Sequence, residues 1–289
     1  MRKFLKCFSE GWRRNMNLSL DAEQPEVISR MSGRYTSLII AVLLIISALL
    51  AFIRIDNAYL WEDEAQVAIA ARNLVDTGHL TGWDGRNLYG FRNGMLLDEN
   101  LRPINSPLDI VLTAASFKLF GISTWSARFP FVLCGMLTLF VFWKLVGYIF
   151  SEQKEAAIYA FALFALSTSF LLEIRTCRYY AAITFAAVLL LYAYYRCLKS
   201  RSAIYYALLL LAAVIFFYSQ YFIAVCFFAT LLIMHVLFYR RDFAGSYPFV
   251  AVAATGFALL TVPYALYSHI WLCYRNYHPD MKPVAPHLS

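Results

Sequence analysis

The sequence predicts an all-α integral membrane protein with about seven transmembrane helices. Of its 289 residues, 61% are hydrophobic and 15% are charged, whereas about a quarter of the residues in a soluble domain are charged. The apolar residues also gather into runs that are long enough to cross a bilayer. Lys and Arg concentrate on alternate connecting segments, as in polytopic membrane proteins. A soluble domain, a disordered chain and a disulfide scaffold are therefore excluded.

The N-terminal part of the chain contains one predicted crossing and a long loop. Residues 1–35 are basic, and we expect a cytoplasmic tail because no apolar run follows closely enough for a signal peptide. Residues 36–53 carry no charge and would measure roughly 27 Å as a helix. Residues 54–128 then form the first extracytoplasmic loop. Its apolar segment 108–120 carries two charges, which suits an interfacial helix better than a crossing.

Six further apolar runs complete the transmembrane domain, 36–268, and an extracytoplasmic tail follows, 269–289. We expect crossings at 129–150, 156–172, 179–195, 203–217, 222–239 and 247–267. In this topology fourteen of the 25 Lys and Arg residues lie on the cytoplasmic side, with seven of the 18 acids. If 108–120 also crossed, the Arg-rich turns at 196–202 and 240–246 would move outside, against the charge rule.

The net charge of +7 does not indicate nucleic acid as a partner. The basic residues follow the membrane topology and form no stripe interleaved with aromatic residues. The six cysteines show no CxxC spacing, and the five histidines form no HxxxH or HExxH pair. The sequence therefore offers neither a disulfide framework nor a strong metal site.

The first candidate for chemistry is the acidic run Glu62-Asp63-Glu64, which follows the first crossing and begins a predicted helix. Carboxylates in a first helical turn stabilise the helix through its dipole, and this explains one or two of the three acids. Three consecutive acids against a membrane surface indicate a functional group instead. The residues alone leave both interpretations open.

The second candidate is the turn with Arg175 and Arg178, between two crossings on the extracytoplasmic side. Two arginines there violate the charge rule. They could snorkel from helix ends to the lipid headgroups, or they could form a phosphate cradle, since phosphate oxygens match paired guanidinium donors. Arg128 opens another crossing from the same side, and it could anchor that helix or join the cradle.

Taken in order along residues 60–221, these segments resemble the membrane-embedded glycosyltransferases of the GT-C class. The nearest members are the protein O-mannosyltransferases, the aminoarabinose transferases and related bacterial lipopolysaccharide-sugar transferases. The matching pieces are Asp63-Glu64-Ala65, Asn105-Ser106-Pro107-Leu108, Leu119-Phe120-Gly121, Trp125-Ser126-Ala127-Arg128-Phe129-Pro130, and Glu173-Ile174-Arg175 with Arg178-Tyr179. Their order and their spacing relative to the crossings make the set more specific than any single piece.

The resemblance implies a polyprenyl-phosphate-dependent sugar transferase with a GT-C-like module in the cytoplasmic membrane. The sugar would pass to an acceptor hydroxyl of a protein, lipid or glycan on the outer face. A lipid phosphate leaves as an anion and needs positive charge rather than a proton. One base and no obligatory acid therefore indicate direct displacement with inversion at the sugar carbon.

By the match at the Asp-Glu-Ala piece, Asp63 would be the catalytic carboxylate and Glu64 its catalytic neighbour. Arg178 would contact the donor phosphate, with Arg175 or Arg128 beside it. We expect Asp63 and Arg178 to face each other across a slot at the edge of the bilayer. Further candidate site residues are Glu173, Tyr179 and Tyr221.

Two departures from the family pattern bear on cofactors and completeness. Many members carry a second acid in the turn where this chain offers only Glu173, so the sequence leaves cofactor use unknown and does not require a divalent cation. Most members continue with more crossings or a further domain, so this chain would be truncated, minimal or inactive.

Two other functions stay open from the sequence: a transporter or flippase for a lipid-linked substrate, and a non-catalytic membrane assembly subunit. The charges lie at helix ends and no internal repeat is evident. Transporters usually keep charges near the bilayer midplane and often contain repeats. These features favour the enzyme over the transporter.

Overall fold

The computed structural model describes residues 26–81, 89–91, 96–98, 107–200, 202–239 and 247–268. This part of the chain contains ten α-helices and one small antiparallel hairpin. In chain order they are α1 (Glu26–Phe52), α2 (Glu62–Thr77), β1 (Tyr89–Phe91), β2 (Leu96–Asp98), α3 (Pro107–Phe120), α4 (Thr124–Ile149), α5 (Lys154–Ala165), α6 (Thr168–Glu173), α7 (Tyr180–Lys199), α8 (Ala203–Ser219), α9 (Tyr221–Met234) and α10 (Tyr247–Ser268). A π-helical segment, His235–Tyr239, continues α9. The predicted C-terminal tail and residues 1–25 of the predicted N-terminal tail lie outside the described residues.

Five helices of the described part are long and apolar enough to cross a membrane, which confirms the all-α membrane architecture. These spans are Tyr35–Phe52, Thr124–Ile149, Tyr180–Leu198, Tyr221–Tyr239 and Tyr247–Tyr267. Each overlaps a predicted crossing. A sixth predicted crossing corresponds to α8, which is apolar but has 17 residues. The total of seven crossings stays a prediction.

The predicted crossing at 156–172 is not one helix, because the chain breaks between α5 and α6. Ser167 begins α6, and its Oγ accepts a hydrogen bond from the Phe170 amide at 3.4 Å. On the other side of the break, the Ser47 hydroxyl donates to the carbonyl oxygen of Ala165 at 2.9 Å. Inside a membrane, backbone groups at a helix end need such partners. Ser47 of α1 therefore stabilises the break.

Helix α4 is central to the N-terminal half of the bundle. It packs against α1, α3, α5 and α7, while α2 lies along α3, and α8 packs between α7 and α10. The α4 side chains Phe131 and Leu139 are fully buried, as is Phe161 of α5. The α2–α3 pair therefore has a fixed position next to the N-terminal end of α4.

Helix α3 matches the predicted interfacial segment to within one residue. Its buried face includes Ile110, Ala114 and Phe117, whereas Leu119 is 75% exposed. It ends at Gly121, whose φ of 80° is the left-handed conformation that glycine adopts without strain. The helix thus has one face against the protein, and its interfacial location stays a prediction.

The turn between α6 and α7 lies unusually close to α4. Ile174 of this turn is 1% exposed and packs on Gly135. A Cβ atom at Gly135 would lie 2.6 Å from Cγ2 of Ile174, which no real contact permits. Glycine therefore allows the turn to approach α4, and this approach brings Cys177 and Arg178 to the start of α2.

Candidate active site

The first turn of α2 and the turn before α7 meet through an ion pair. Nη1 of Arg178 lies 2.6 Å from Oδ2 of Asp63. The side chains are 17% and 35% exposed, respectively, so the pair is accessible rather than buried. The structure thus brings together the predicted base and the predicted phosphate contact. They touch directly, whereas we expected a slot between them.

Three aromatic rings surround the Arg178 guanidinium. Its Cζ lies 5.7 Å from the ring centre of Trp61, 5.1 Å from that of Tyr179 and 5.9 Å from that of Tyr180. Cations at these distances are attracted to the face of an aromatic ring. Among the described residues, Asp63 is the one hydrogen-bonding partner of this guanidinium. Its other N–H donors are available to a ligand.

Glu64, one residue after Asp63, is completely buried, and both of its carboxylate oxygens accept hydrogen bonds. Its Oε1 accepts hydrogen bonds from Nε of Arg128 at 2.9 Å and from the backbone amide of Cys177 at 2.7 Å. Its Oε2 accepts from Nη2 of Arg128 at 2.6 Å and from the Trp61 amide at 3.4 Å. The fork-on-fork geometry is the strongest form of an arginine–carboxylate pair. Glu64 therefore connects α2, α4 and the turn before α7.

Arg128 is 8% exposed, and all five of its N–H donors have partners. Besides the two bonds to Glu64, Nη1 donates to the carbonyl oxygens of Ile55 at 2.7 Å and Ala58 at 3.0 Å. Nη2 also donates to the carbonyl of Tyr59 at 3.2 Å. Since a guanidinium has five donors in total, Arg128 has none left for a phosphate in this structure.

Arg175 binds the C-terminal end of α1. Its Nη1 donates to the Leu50 carbonyl at 2.6 Å, and its Nη2 donates to the carbonyls of Ile53 at 2.9 Å and Arg54 at 3.2 Å. The last carbonyls of a helix lack partners within the helix and carry a partial negative charge. Arg175 therefore attaches the turn before α7 to the end of α1.

Cys177, the residue directly before Arg178, is completely buried. Its Sγ lies 3.3 Å from the Thr113 hydroxyl of α3. Burial raises the pKa of the Cys177 thiol well above its ordinary value, and the contact with Thr113 only partly opposes this. The thiol is therefore uncharged at neutral pH and unsuited to act as a nucleophile.

The remaining predicted site residues lie in different surroundings. Tyr179 lies beside Arg178 and contacts Tyr180, with 4.5 Å between the ring centres and an angle of 50° between the ring planes. Glu173 is the exposed last residue of α6. Tyr221, at the start of α9, donates to the hydroxyl of Tyr264 in α10 at 3.3 Å and so belongs to a separate aromatic cluster. Within the described ranges, no group of three His, Cys, Asp or Glu side chains could hold a metal ion.

Sequence reasoning missed three kinds of partner at this site. The Cys177 amide and the carbonyls of residues 55, 58 and 59 are backbone groups, which every residue possesses and no motif marks. Trp61 directly precedes the acidic run Glu62-Asp63-Glu64, and no role is predicted for it from the sequence. Its position directly before the acids was a usable signal, because an aromatic ring next to predicted charge pairs often contacts a cation.

Comparison with known proteins supports both the fold and the family. A sequence profile of the dolichyl-phosphate-mannose-protein mannosyltransferase family matches residues 105–267. The structure is similar to that of ArnT from Cupriavidus metallidurans in the apo state, with a TM-score of 0.61 and 17% identity, covering 85% of this chain and 43% of that chain. It is also similar to ArnT from Cupriavidus metallidurans bound to undecaprenyl phosphate, with a TM-score of 0.58 and 14% identity, covering 83% and 42% of the two chains.

The chain thus spans less than half the length of the solved structures it resembles. A comparison with curated proteins finds no match. The matches confirm the predicted GT-C resemblance and a multi-pass membrane architecture.

Proposed function

Because this chain belongs to the dolichyl-phosphate-mannose-protein mannosyltransferase family, we propose that it transfers a sugar from a polyprenyl-phosphate donor. The acceptor is a hydroxyl of a protein, lipid or glycan at the outer face of the cytoplasmic membrane, and the N-terminus is cytoplasmic. The binding of undecaprenyl phosphate by ArnT from Cupriavidus metallidurans supports a polyprenyl-phosphate donor. The observation that carries the proposal is the accessible contact between Asp63 and Arg178.

Arg178 is the arginine best suited to the donor phosphate. It is partly exposed and, among the described residues, bonds only to Asp63, whereas Arg128 has used every donor. A phosphate diester oxygen can replace the Asp63 carboxylate as the partner of this guanidinium. Donor binding would then release Asp63 from its ion pair. The rings of Trp61 and Tyr179 hold the guanidinium in place during this exchange.

The released Asp63 acts as general base for the acceptor hydroxyl. The hydroxyl oxygen forms a bond to the anomeric carbon while the bond from that carbon to the phosphate oxygen breaks. The hydroxyl proton passes to Asp63, and the electron pair of the broken bond stays on the polyprenyl phosphate. Arg178 stabilises the negative charge that develops there. Attack opposite the leaving group inverts the configuration of the sugar carbon.

Glu64, Arg128 and Arg175 act as positioning residues in this proposal. Glu64 is 0% exposed and reaches no surface that a substrate could touch. It holds the residue before Arg178 through the Cys177 amide, and Arg128 compensates its charge. Arg175 fixes the same turn to α1. The three residues thus keep Asp63 and Arg178 at a defined separation.

The decisive experiment measures the release of polyprenyl phosphate, because this product forms whichever sugar the donor carries. The full chain is reconstituted in vesicles with a panel of undecaprenyl-phosphate sugars and a panel of hydroxyl acceptors. We expect Asp63→Asn to lower the release rate by about 100-fold or more, since a positioned base contributes 10²–10⁴-fold. Glu62→Gln, a change at the exposed first acid of the same helix, is the matched control and should keep the wild-type rate.

Arg178→Ala separates donor binding from acceptor binding. We expect it to weaken donor binding strongly and acceptor binding little. If Asp63→Asn releases polyprenyl phosphate at the wild-type rate, the transferase assignment is wrong. If the wild type moves the intact donor across the vesicle membrane without releasing polyprenyl phosphate, the protein is a flippase instead.

A further inference from the structure

A basic cavity is lined in part by the turn that precedes Arg178. It has a volume of about 620 Å³ and opens between residues 53–58, after α1, and residues 172–176, at the turn after α6. Its lining includes the guanidinium-bearing residues Arg54, Arg128 and Arg175. Neither residue of the Asp63–Arg178 pair lines it. The lining of the cavity is therefore distinct from the Asp63–Arg178 contact.

Arg54 and Arg175 supply the positive charge of this cavity that no described carboxylate compensates. Glu64 neutralises Arg128, and Arg175 is bound to the carbonyls that end α1. Because Arg175 also offsets the negative end of the α1 dipole, that helix end does not repel an anion. The Arg54 side chain is exposed, and its guanidinium has no hydrogen bond or ion pair to another described residue. The neighbouring acids Asp56 and Glu173 do not line the cavity.

The backbone of Arg54 also adopts an uncommon conformation. Its φ of 49° lies in the left-handed region, where a long side chain is uncommon. Asn would adopt this conformation more readily. A left-handed residue commonly follows a helix, where glycine or Asn is usual, so Arg at this position holds a conformation that its surroundings must fix. The residue in this conformation also lines the cavity.

The cavity opens toward lipid at the end of a membrane span. Its lining includes Ile53, 59% exposed, and Leu172, 62% exposed. Ile53 directly follows the candidate span Tyr35–Phe52, and the end of a membrane span is where lipid headgroups are expected. Exposed apolar side chains beside a cation match an amphipathic ligand, whose acyl chains would contact the apolar residues and whose phosphate would contact the cation.

We propose that this cavity binds an anionic membrane phospholipid, whose phosphate contacts Arg54. This occupant is distinct from the sugar donor, because neither Asp63 nor Arg178 lines the cavity and Arg128 has no free donor for a phosphate. A lipid in this cavity contacts both the end of α1 and the turn that leads to Arg178. It therefore stabilises the arrangement on which the proposed transfer depends, although its binding is independent of that activity.

The test compares bound phospholipid in the full chain reconstituted with equal amounts of phosphatidylglycerol and phosphatidylcholine. Native mass spectrometry counts the lipids that remain after detergent extraction. We expect wild type to retain phosphatidylglycerol preferentially. Arg54→Asn removes the charge and suits the left-handed backbone, so it should weaken this retention about five-fold, the effect of one basic residue near a lipid headgroup. Arg54→Lys should keep most of the preference.

Lys118→Gln is the matched control, since it removes one exposed positive charge from α3 outside the cavity lining. It should leave phosphatidylglycerol retention unchanged. Equal losses in Arg54→Asn and Lys118→Gln, or no preference in the wild type, overturn the proposal. Displacement of phosphatidylglycerol by added undecaprenyl phosphate would overturn it as well, because the cavity would then be a donor site.

Asp63→Asn distinguishes this proposal from the transferase proposal. We expect this variant to retain phosphatidylglycerol as the wild type does, whatever its effect on sugar transfer. If the transferase assignment fails while Arg54 still determines lipid retention, the lipid site stands. Loss of lipid retention in Asp63→Asn would contradict the separation of the two sites.

Discussion

The buried carboxylate of Glu64 accepts a hydrogen bond from the backbone amide of Cys177 at 2.7 Å, across a sequence separation of 113 residues. Glu64 directly follows Asp63, and Cys177 directly precedes Arg178. One hydrogen bond therefore joins the neighbours of the two residues that form the accessible ion pair. Because the carboxylate is also fixed by Arg128, the relative position of Asp63 and Arg178 depends on a group that no substrate reaches.

Glu64→Gln should impair transfer more through kcat than through KM for the donor. The amide keeps the shape of the side chain but lacks the charge that orders Arg128 and the Cys177 amide, so Asp63 and Arg178 lose their alignment. A misplacement of about 1 Å costs on the order of 100-fold in rate. Steady-state release of polyprenyl phosphate, measured over a range of donor concentrations, gives both constants.

A double-mutant cycle distinguishes positioning from a direct role of Glu64. If Glu64 acts through Arg178, the double variant Glu64→Gln/Arg178→Ala should be little worse than Arg178→Ala alone. Coupling between residues in one network produces this non-additivity. Full additivity of the two losses would show that Glu64 contributes to transfer independently of Arg178.

The Glu64–Arg128 pair should be dispensable for stability but not for activity. Arg128→Met alone leaves a buried carboxylate without its cation, and breaking such a pair costs about 3–5 kcal/mol. The double variant Glu64→Leu/Arg128→Met removes both charges and should recover most of that loss, because apolar replacements of buried ion pairs are often neutral. Thermal unfolding in detergent measures the stability of each variant.

The same double variant should stay inactive, since it lacks the acceptor for the Cys177 amide. Stability with restored activity would mean that the pair has no positioning role. Failure to recover stability would mean that the backbone carbonyls bound by Arg128 depend on its guanidinium more than on the ion pair.

The sequence determined the fold class because long uncharged runs have few alternatives to membrane helices. It did not reveal the break between α5 and α6. The run 156–172 stays apolar on average, and only the short polar stretch Ser167-Thr168-Ser169 offers a helix start within it. The break also depends on Ser47, a residue of α1 whose hydroxyl reaches the Ala165 carbonyl. Such a tertiary contact leaves no trace in local hydropathy.

The candidate site was predictable where it depends on charged side chains near the same membrane surface. Asp63 and Arg178 were both identified, and the structure brings them together. The surroundings of Arg128 and Arg175 were not predictable, because their partners are largely backbone carbonyls. A sequence shows which residues carry charge. It does not show which of those side chains will form hydrogen bonds with the backbone of a helix end or a loop.

Cys177 should report whether the turn before α7 is intact. Burial raises the pKa of its thiol and excludes solvent, so a single-cysteine variant that keeps only Cys177 should resist a water-soluble maleimide at neutral pH. Glu64→Ala removes the acceptor of the Cys177 amide and should make labelling at least several-fold faster. Equal labelling rates with and without Glu64 would show that the turn holds its position by packing alone.

Gly135→Ala in α4 should displace the turn before α7 and so disturb the candidate active site. Gly147→Ala in the same helix should not. A Cβ at Gly135 would meet the Ile174 side chain at 2.6–2.7 Å, but one at Gly147 would meet nothing within 4 Å. Overpacking of this kind costs about 1–3 kcal/mol, while a tolerated glycine-to-alanine change in a helix stabilises by about 0.5–1 kcal/mol. We therefore expect Gly135→Ala to lower both the unfolding temperature and the release of polyprenyl phosphate.

A second substitution, Ile174→Ala, should relieve little of the defect of Gly135→Ala, because the Ile174 Cβ itself would lie 2.7 Å from the new methyl group. Ile174→Gly removes that atom and should relieve the clash with the new methyl group, although it leaves a cavity where the Ile174 side chain packed. Wild-type activity in Gly135→Ala would show that the turn can move away from α4 without disturbing Arg178.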